Sequence, residues 1–401
     1  MAVNLSKIPT LAKLGDIKGQ RVLVRADFNV PLDDAGNITS DLRITSSLPT
    51  IKWLLERGAK VILMSHLGRP KGKGVEKEFS LKPVAKRLSE LLGFEVKLWS
   101  HGSAEQMRGY AMQLVAGRAV LMENLRFHAE EQMGDETFGR GLSTLAEFYV
   151  NDAFGTCHRG DASMTWPAKL LKSCAGELVR AEVEAMARVL EKPAKPFLAI
   201  VGGAKVKDKL PLLNNLLARV NEVCIGGGMA YTFLKAKGVK IGKSLLDEGS
   251  LKTAEAVLLK AKELDVVIHL PSDHVCAKSM DDESAHQVRG DVPEGMAAFD
   301  IGDHTAKAFS NAIARAKTIL FNGPVGVFEK ERFSNGTRAV INAIADATAK
   351  GAYSVVGGGD SASAVEQFKM EKKMSHVSTG GGASLTLLEG GSMPGLEALV
   401  R

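Results

Sequence analysis

Short aliphatic runs recur along the chain, each followed by a polar or glycine-rich loop and then by apolar positions at helical spacing. In the first half the runs are Arg21–Arg25, Val61–Met64, Ala119–Met122 and Phe148–Val150. In the second half they fall near Phe197–Val201, Glu222–Ile225, Val266–His269, Thr318–Phe321, Tyr353–Val356 and Ser375–Ser378. This alternation predicts an α/β protein with parallel sheets covered by helices on both faces. Ligands in such sheets bind beyond the carboxyl ends of the strands, so the residues directly after each run carry the chemistry.

At 401 residues the chain is too long for one ordinary core, and two domains are expected. The helix-patterned stretch Cys174–Glu191, followed by Lys192-Pro193-Ala194-Lys195-Pro196, reads as their connector. The expected division is therefore 1–173, a linker at 174–196, and 197–390.

Composition narrows the class. With 45% hydrophobic and 24% charged residues the chain is globular. A net charge of +6 suits a small anionic substrate, and the one short basic cluster, Arg69–Gly74, is followed at once by glutamates, so no nucleic-acid partner is expected. Cys157, Cys174, Cys224 and Cys276 form no CxxC pair, which argues against a zinc site or disulfide framework and suits a reducing cytosol. Cys157 adjoins His158, but sequence neighbours seldom face each other as a catalytic pair, so a free loop thiol is the reading. The N-terminus lacks a signal-peptide run and no segment approaches the roughly 18–20 apolar residues of a membrane span, so a cytoplasmic protein without a membrane partner is expected.

The first-half loops are Asp27-Phe28-Asn29, Ser65-His66-Leu67-Gly68-Arg69, Glu123-Asn124-Leu125-Arg126 and Asn151-Asp152 leading to His158-Arg159, with Arg43 arriving from the loop after Pro31. Four guanidiniums and two imidazoles at one edge would repel each other unless an anion neutralised them. Arginine suits that task because its planar fork grips carboxylate or phosphate. Asp27 and Asn29, two apart, face the same side of an extended segment, where an acid can accept a hydrogen bond from a substrate hydroxyl.

The second-half loops begin Gly202-Gly203-Ala204-Lys205, Gly226-Gly227-Gly228, Pro271-Ser272-Asp273-His274, Asn322-Gly323-Pro324, Gly357-Gly358-Gly359-Asp360-Ser361 and Thr379-Gly380-Gly381-Gly382. Five of the six are glycine loops opening into a helix, the arrangement that lets phosphate oxygens reach backbone N–H groups. Gly238–Ser244 imitates a Walker A loop but is one residue short and follows a helical stretch, so it is set aside.

The strings VLVRADFNVPL (22–32), MSHLGRP (64–70), ENLRF (123–127), VNDAFGTCHR (150–159), GGAKVKDKL (202–210), NGPVGVFE (322–329) and GGGDSASAV (357–365), in this order, resemble the phosphoglycerate kinase family over nearly the whole chain. The resemblance implies two Rossmann-like, three-layer αβα domains joined by a hinge helix, with the tail 391–401 packing back on the first. It implies 3-phosphoglycerate or 1,3-bisphosphoglycerate on Asp27, Phe28, Asn29, Arg43, His66, Leu67, Gly68, Arg69, Arg126, His158 and Arg159. It places ADP or ATP on Lys205, Lys209, Gly226–Gly228, Asn322, Glu329 and Gly358–Ser361, with Asp360 as the Mg²⁺ ligand. Arg43, Lys205, Gly358 and Gly381 would act on the transferring group of a monomeric glycolytic enzyme whose lobes close for catalysis. A catalytically idle nucleotide-binding protein of the same fold is the alternative. Three positions depart from the family pattern: Asp161 replaces a common histidine, Lys207 a small polar residue, and Thr386 a glutamate.

Overall fold

A computed structural model describes residues 4–100 and 104–400. The chain divides into two compact units, Met1–Glu184 with Ser392–Arg401, and Ala185–Gly391.

In the first unit the strands are β1 (Arg21–Ala26), β2 (Lys60–Met64), β3 (Lys97–Trp99), β4 (Ala119–Met122), β5 (Phe148–Asp152) and β6 (Lys172–Ala175). They form one parallel sheet in the order β3-β4-β2-β1-β5-β6. Both faces are covered, so β1 and β2 are buried almost end to end. Val22 and Val24 pack with Ile44, Ile51 and Leu54 on one face. By the two-residue period Leu23 and Arg25 turn to the other, where Arg25 meets Ser163.

Strands β3 and β6 escape the hydrophobic pattern for a physical reason. Both are edge strands of three or four residues, partly exposed, and their pairing is set by a neighbour rather than by their own composition. Cys174 and Ala175 accordingly end β6, and the helix expected from Cys174 runs instead over Glu177–Leu190. Its first N–H groups are capped from within the unit: Glu177 N donates to Thr50 Oγ1 at 2.7 Å and Leu178 N to Asp152 Oδ1 at 3.0 Å. The tail is fastened to the same unit, because Gly395 N donates to Cys157 O at 2.9 Å and Asn151 Nδ2 donates to Gly395 O at 3.0 Å.

The second unit contains β7 (Phe197–Val201), β8 (Glu222–Ile225), β9 (Val267–His269), β10 (Asp273–Ala277), β11 (His286–Arg289), β12 (Ala297–Ile301), β13 (Thr318–Asn322), β14 (Tyr353–Val356) and β15 (His376–Val377). Six of them make a parallel sheet in the order β15-β14-β13-β7-β8-β9. Strands β10–β12 form a separate antiparallel sheet. This sheet corrects the reading of Asp273 and His274 as part of a loop: they open β10, where Asp273 accepts from His304 N at 2.9 Å and Thr305 N at 2.7 Å and caps the helix Asp303–Arg315. The Walker-like segment is a turn, with no strand before it; a Cβ at Gly242 would meet Met296 O at 2.4 Å, so this glycine serves backbone packing.

Candidate active site

In the first unit β1 is flanked by β2 on one side and β5 on the other, so the loops leaving β1 and β5 diverge and open a crevice at their carboxyl ends. A cavity of about 310 Å³ lies there, lined by Asp27, Asn29, Arg43, His66, Gly68, Arg69, Arg126, Gly155, Thr156, His158 and Arg159. The eight polar side chains that the resemblance implies for the triose are therefore in one place, whereas Glu123, Asn124, Asn151 and Asp152 do not line it. Phe28 and Leu67 are buried and do not line this cavity; Phe28 N donates to Ser65 Oγ at 2.8 Å and Leu67 O accepts from Asn124 Nδ2 at 2.7 Å. Arg43 is not on a loop: it occupies the first turn of the helix Leu42–Glu56, which aims it at Asp27, its ion-pair partner. Asn29 Oδ1 accepts from Gly68 N at 2.8 Å and joins two of the loops.

The expectation of an uncompensated cationic edge needs correction. His66 is held well below its ordinary pKa by burial and by Arg25, Arg126, Arg43 and Arg159, and burial likewise lowers His158, so neither imidazole adds a charge at neutral pH. Two carboxylates supply resident counterions. Asp27 pairs with Arg43; Asp161, buried, accepts from Arg159 Nε at 3.2 Å and lies 3.9 Å from Arg126 Nη2. The departure at Asp161 thus sits between two of the arginines. Arg126 also donates from Nη1 to Gly68 O at 2.9 Å, and burial, followed by the charge of Arg159, pulls its pKa down to about 10. Arg126 Nε and His158 Nδ1 are buried with no hydrogen-bond partner among the described residues. Cys157 is fully buried and its thiol is pushed up to about 12, which removes it as a nucleophile.

In the second unit β7 lies between β8 and β13, and the crevice opens beyond their ends. A cavity of about 300 Å³ is lined by Lys209, Gly323, Gly358, Gly359, Asp360, Ser361, Gly381, Gly382 and Leu385. Gly358 and Gly381 precede the helices Gly359–Gln367 and Gly382–Leu388, so two helix N-termini open on one space. Lys209 Nζ donates to Asn322 Oδ1 at 2.5 Å, and Asn322 Nδ2 donates to Gly357 O at 2.8 Å. Ser361 Oγ accepts from Gly323 N at 2.6 Å, so its role is to hold the loop.

The remaining glycine loops are shaped by packing. A Cβ at Gly202 would come within 2.0 Å of Pro324 O, and one at Gly226 within 2.5 Å of Val325 Cβ. Gly226–Gly228, Lys205, Asn322 and Glu329 are not part of the cavity wall, and Lys205 and Glu329 are exposed. Leu385, which does line it, and Arg25, behind His66, were not legible as site residues. A larger cavity of about 500 Å³ beside Trp99 and Phe138 has no lysine or arginine among its described lining residues.

Two parallel α/β units, one gathering guanidiniums and the other helix N-termini at a strand-order reversal, define an enzyme that handles phosphates. The family model described as Phosphoglycerate kinase matches residues 11–391, and the chain belongs to that family. It is 48% identical over 387 residues to the cytosolic phosphoglycerate kinase of Triticum aestivum, covering 96% of both chains. It is 49% identical to the phosphoglycerate kinase of Anaeromyxobacter dehalogenans, covering 96% of this chain and 97% of that one. The solved phosphoglycerate kinase of Coxiella burnetii superposes with a TM-score of 0.92 at 42% identity, covering 98% of each chain.

Proposed function

We propose that the chain transfers a phosphoryl group reversibly between 1,3-bisphosphoglycerate and ADP, giving 3-phosphoglycerate and ATP. The observation that carries this reading is the arginine cavity, where Arg126 Nε and His158 Nδ1 are buried with no hydrogen-bond partner among the described residues, beside side chains that suit a small polyanion. The triose belongs there, and the nucleotide phosphates belong at Lys209 and the N-termini beginning at Gly358 and Gly381.

In the ATP-consuming direction the nucleophile is a carboxylate, which is ionised at neutral pH, so no general base is required. Catalysis then rests on alignment and on stabilising charge that spreads over three equatorial oxygens. Arg43, paired with Asp27, is a cation at the cavity mouth, and Lys205 and the N–H groups after Gly358 and Gly381 supply the donors from the nucleotide side. Asp360 is exposed in the first turn of the helix Gly359–Gln367, beside Lys209. No cluster of three or more metal-ligating side chains exists among the described residues, and one carboxylate beside a phosphate site suits Mg²⁺, which takes most of its remaining ligands from phosphate and water. When bound, Mg²⁺ would screen the nucleotide phosphates.

A monomer in the cytoplasm completes the reading; no helix among the described residues is long and apolar enough to cross a membrane. A coupled assay for ATP formation from 1,3-bisphosphoglycerate and ADP separates this function from an idle nucleotide binder. Arg43→Ala should lower kcat by about two to three orders of magnitude, the scale of losing a transition-state charge stabiliser, with ADP affinity nearly unchanged. An equal fall in ADP affinity would count against the assignment.

A further inference from the structure

A buried polar chain lies behind the triose cavity. Arg25, fully buried on β1, donates from Nε to Ser163 Oγ at 2.9 Å, donates to Ala26 O, and places Nη2 3.1 Å from His66 Nδ1. Ser163 is itself held at both ends: its Oγ donates to Glu131 Oε1 at 2.6 Å and its N donates to Glu131 Oε2 at 2.9 Å. Glu131 is fully buried, so Arg25 has a resident counterion one hydroxyl away.

This geometry decides a proton position. A guanidinium can only donate, so His66 Nδ1 must accept and carries no proton. A neutral imidazole has one N–H, which leaves it on Nε2. Protonating the ring would set N–H against N–H at the Arg25 contact. The strongest other charges on the ring, those of Arg126, Arg43 and Arg159, are cations and oppose the same step, while the carboxylates at this cavity, Asp27 and Asp161, are paired with those arginines.

We propose that Arg25 is a positioning residue that locks His66 as its Nε2–H tautomer, making the imidazole a hydrogen-bond donor to an anionic oxygen of the triose and excluding it as a proton carrier. The tautomer follows from the Arg25 contact alone; the identity of the oxygen rests on the reading of this cavity as the triose site. The whole Glu131–Ser163–Arg25 chain then serves one ring orientation.

The test is a long-range proton–nitrogen NMR spectrum of protein labelled at histidine nitrogens, with His66 assigned by its loss in His66→Gln. The expected pattern is an unprotonated Nδ1 and a protonated Nε2, unchanged from about pH 8 to about pH 5.5, a range in which a free imidazole would titrate. An Nδ1–H pattern, an averaged pair, or titration in that window would overturn the proposal. Arg25→Met should release the tautomer and raise the KM for 3-phosphoglycerate by about tenfold or more, the scale of one hydrogen bond to a charged group, with the KM for ADP unmoved. Arg25→Lys, which keeps a buried cationic donor, should restore part of both; equal rises in both KM values would mark Arg25 as merely structural. If Arg25→Met fails to fold, the wild-type spectrum still decides. Wild-type protein with the expected tautomer but no affinity for 3-phosphoglycerate would sink the functional reading and leave the tautomer standing.

Discussion

Asp161→Asn isolates the effect of a single resident charge in the arginine cavity. The substitution keeps the side-chain shape and one carbonyl oxygen that can still accept from Arg159 Nε, so the change is chiefly electrostatic. Asp161 is 2% exposed and lies 3.2 Å from Arg159 and 3.9 Å from Arg126, whose side chain is 7% exposed. A unit pair at about 4 Å is worth about 4 kcal/mol at an effective dielectric of about 20, and breaking a buried pair costs roughly 3–5 kcal/mol. Arg159 keeps 36% of its side-chain surface in water, which screens its share and favours the lower end, about 3 kcal/mol. For a unit of this size that corresponds to a fall in Tm of roughly 6–12 °C.

Loss of a resident charge leaves a signature that a packing defect would not show. A bound polyanion replaces the missing counterion, so 3-phosphoglycerate should raise the Tm of Asp161→Asn by several degrees more than it raises wild type. Thermal unfolding with and without the ligand measures both numbers. A loss of less than about 0.5 kcal/mol, or equal ligand shifts in the two proteins, would refute the view of Asp161 as the counterion of Arg126 and Arg159.

Two further outcomes are expected in the second unit. Gly323→Ala should unfold or severely destabilise it, because φ is +103° and a Cβ would lie 2.1 Å from Gly202 O, whereas Gly359→Ala, whose Cβ meets nothing within 4 Å, should keep full stability and lose only ADP affinity; urea unfolding beside ADP titration checks the contrast. Asp300 is buried and its pKa is pushed up to about 7 from 3.8, so the folded state keeps a proton that the unfolded chain releases. Its contribution is therefore fully present below about pH 4 and lost as pH rises toward 7, a cost of up to about 4 kcal/mol. Asp152, raised to about 7 in the first unit, has the same sign. Stability measured against pH should slope less in Asp300→Asn than in wild type, and parallel curves would rule out Asp300 as the source.

The strand–loop–helix alternation was enough to reveal the parallel sheets, because strands buried on both faces must be apolar nearly throughout, as β2 and β7 are. It was not enough for β11, whose residues are mostly exposed, or for β6, whose partner β5 supplies the constraint. The helical placement of Arg43 was hidden for a similar reason. Its position is fixed by a helix whose apolar face begins only at Ile44.

By itself the sequence determined the class of chemistry: which strand ends carry arginine, aspartate or glycine, and hence which half suits a small acid and which a phosphate chain. Only the tertiary structure decided what those residues do. Folding brought Asp161 between two guanidiniums, packed Gly202 against Pro324 and Gly226 against Val325, and set Arg25 behind His66. Charge balance, proton position and backbone clearance depend on distances between residues far apart in the chain. Those distances exist only once the sheets have formed.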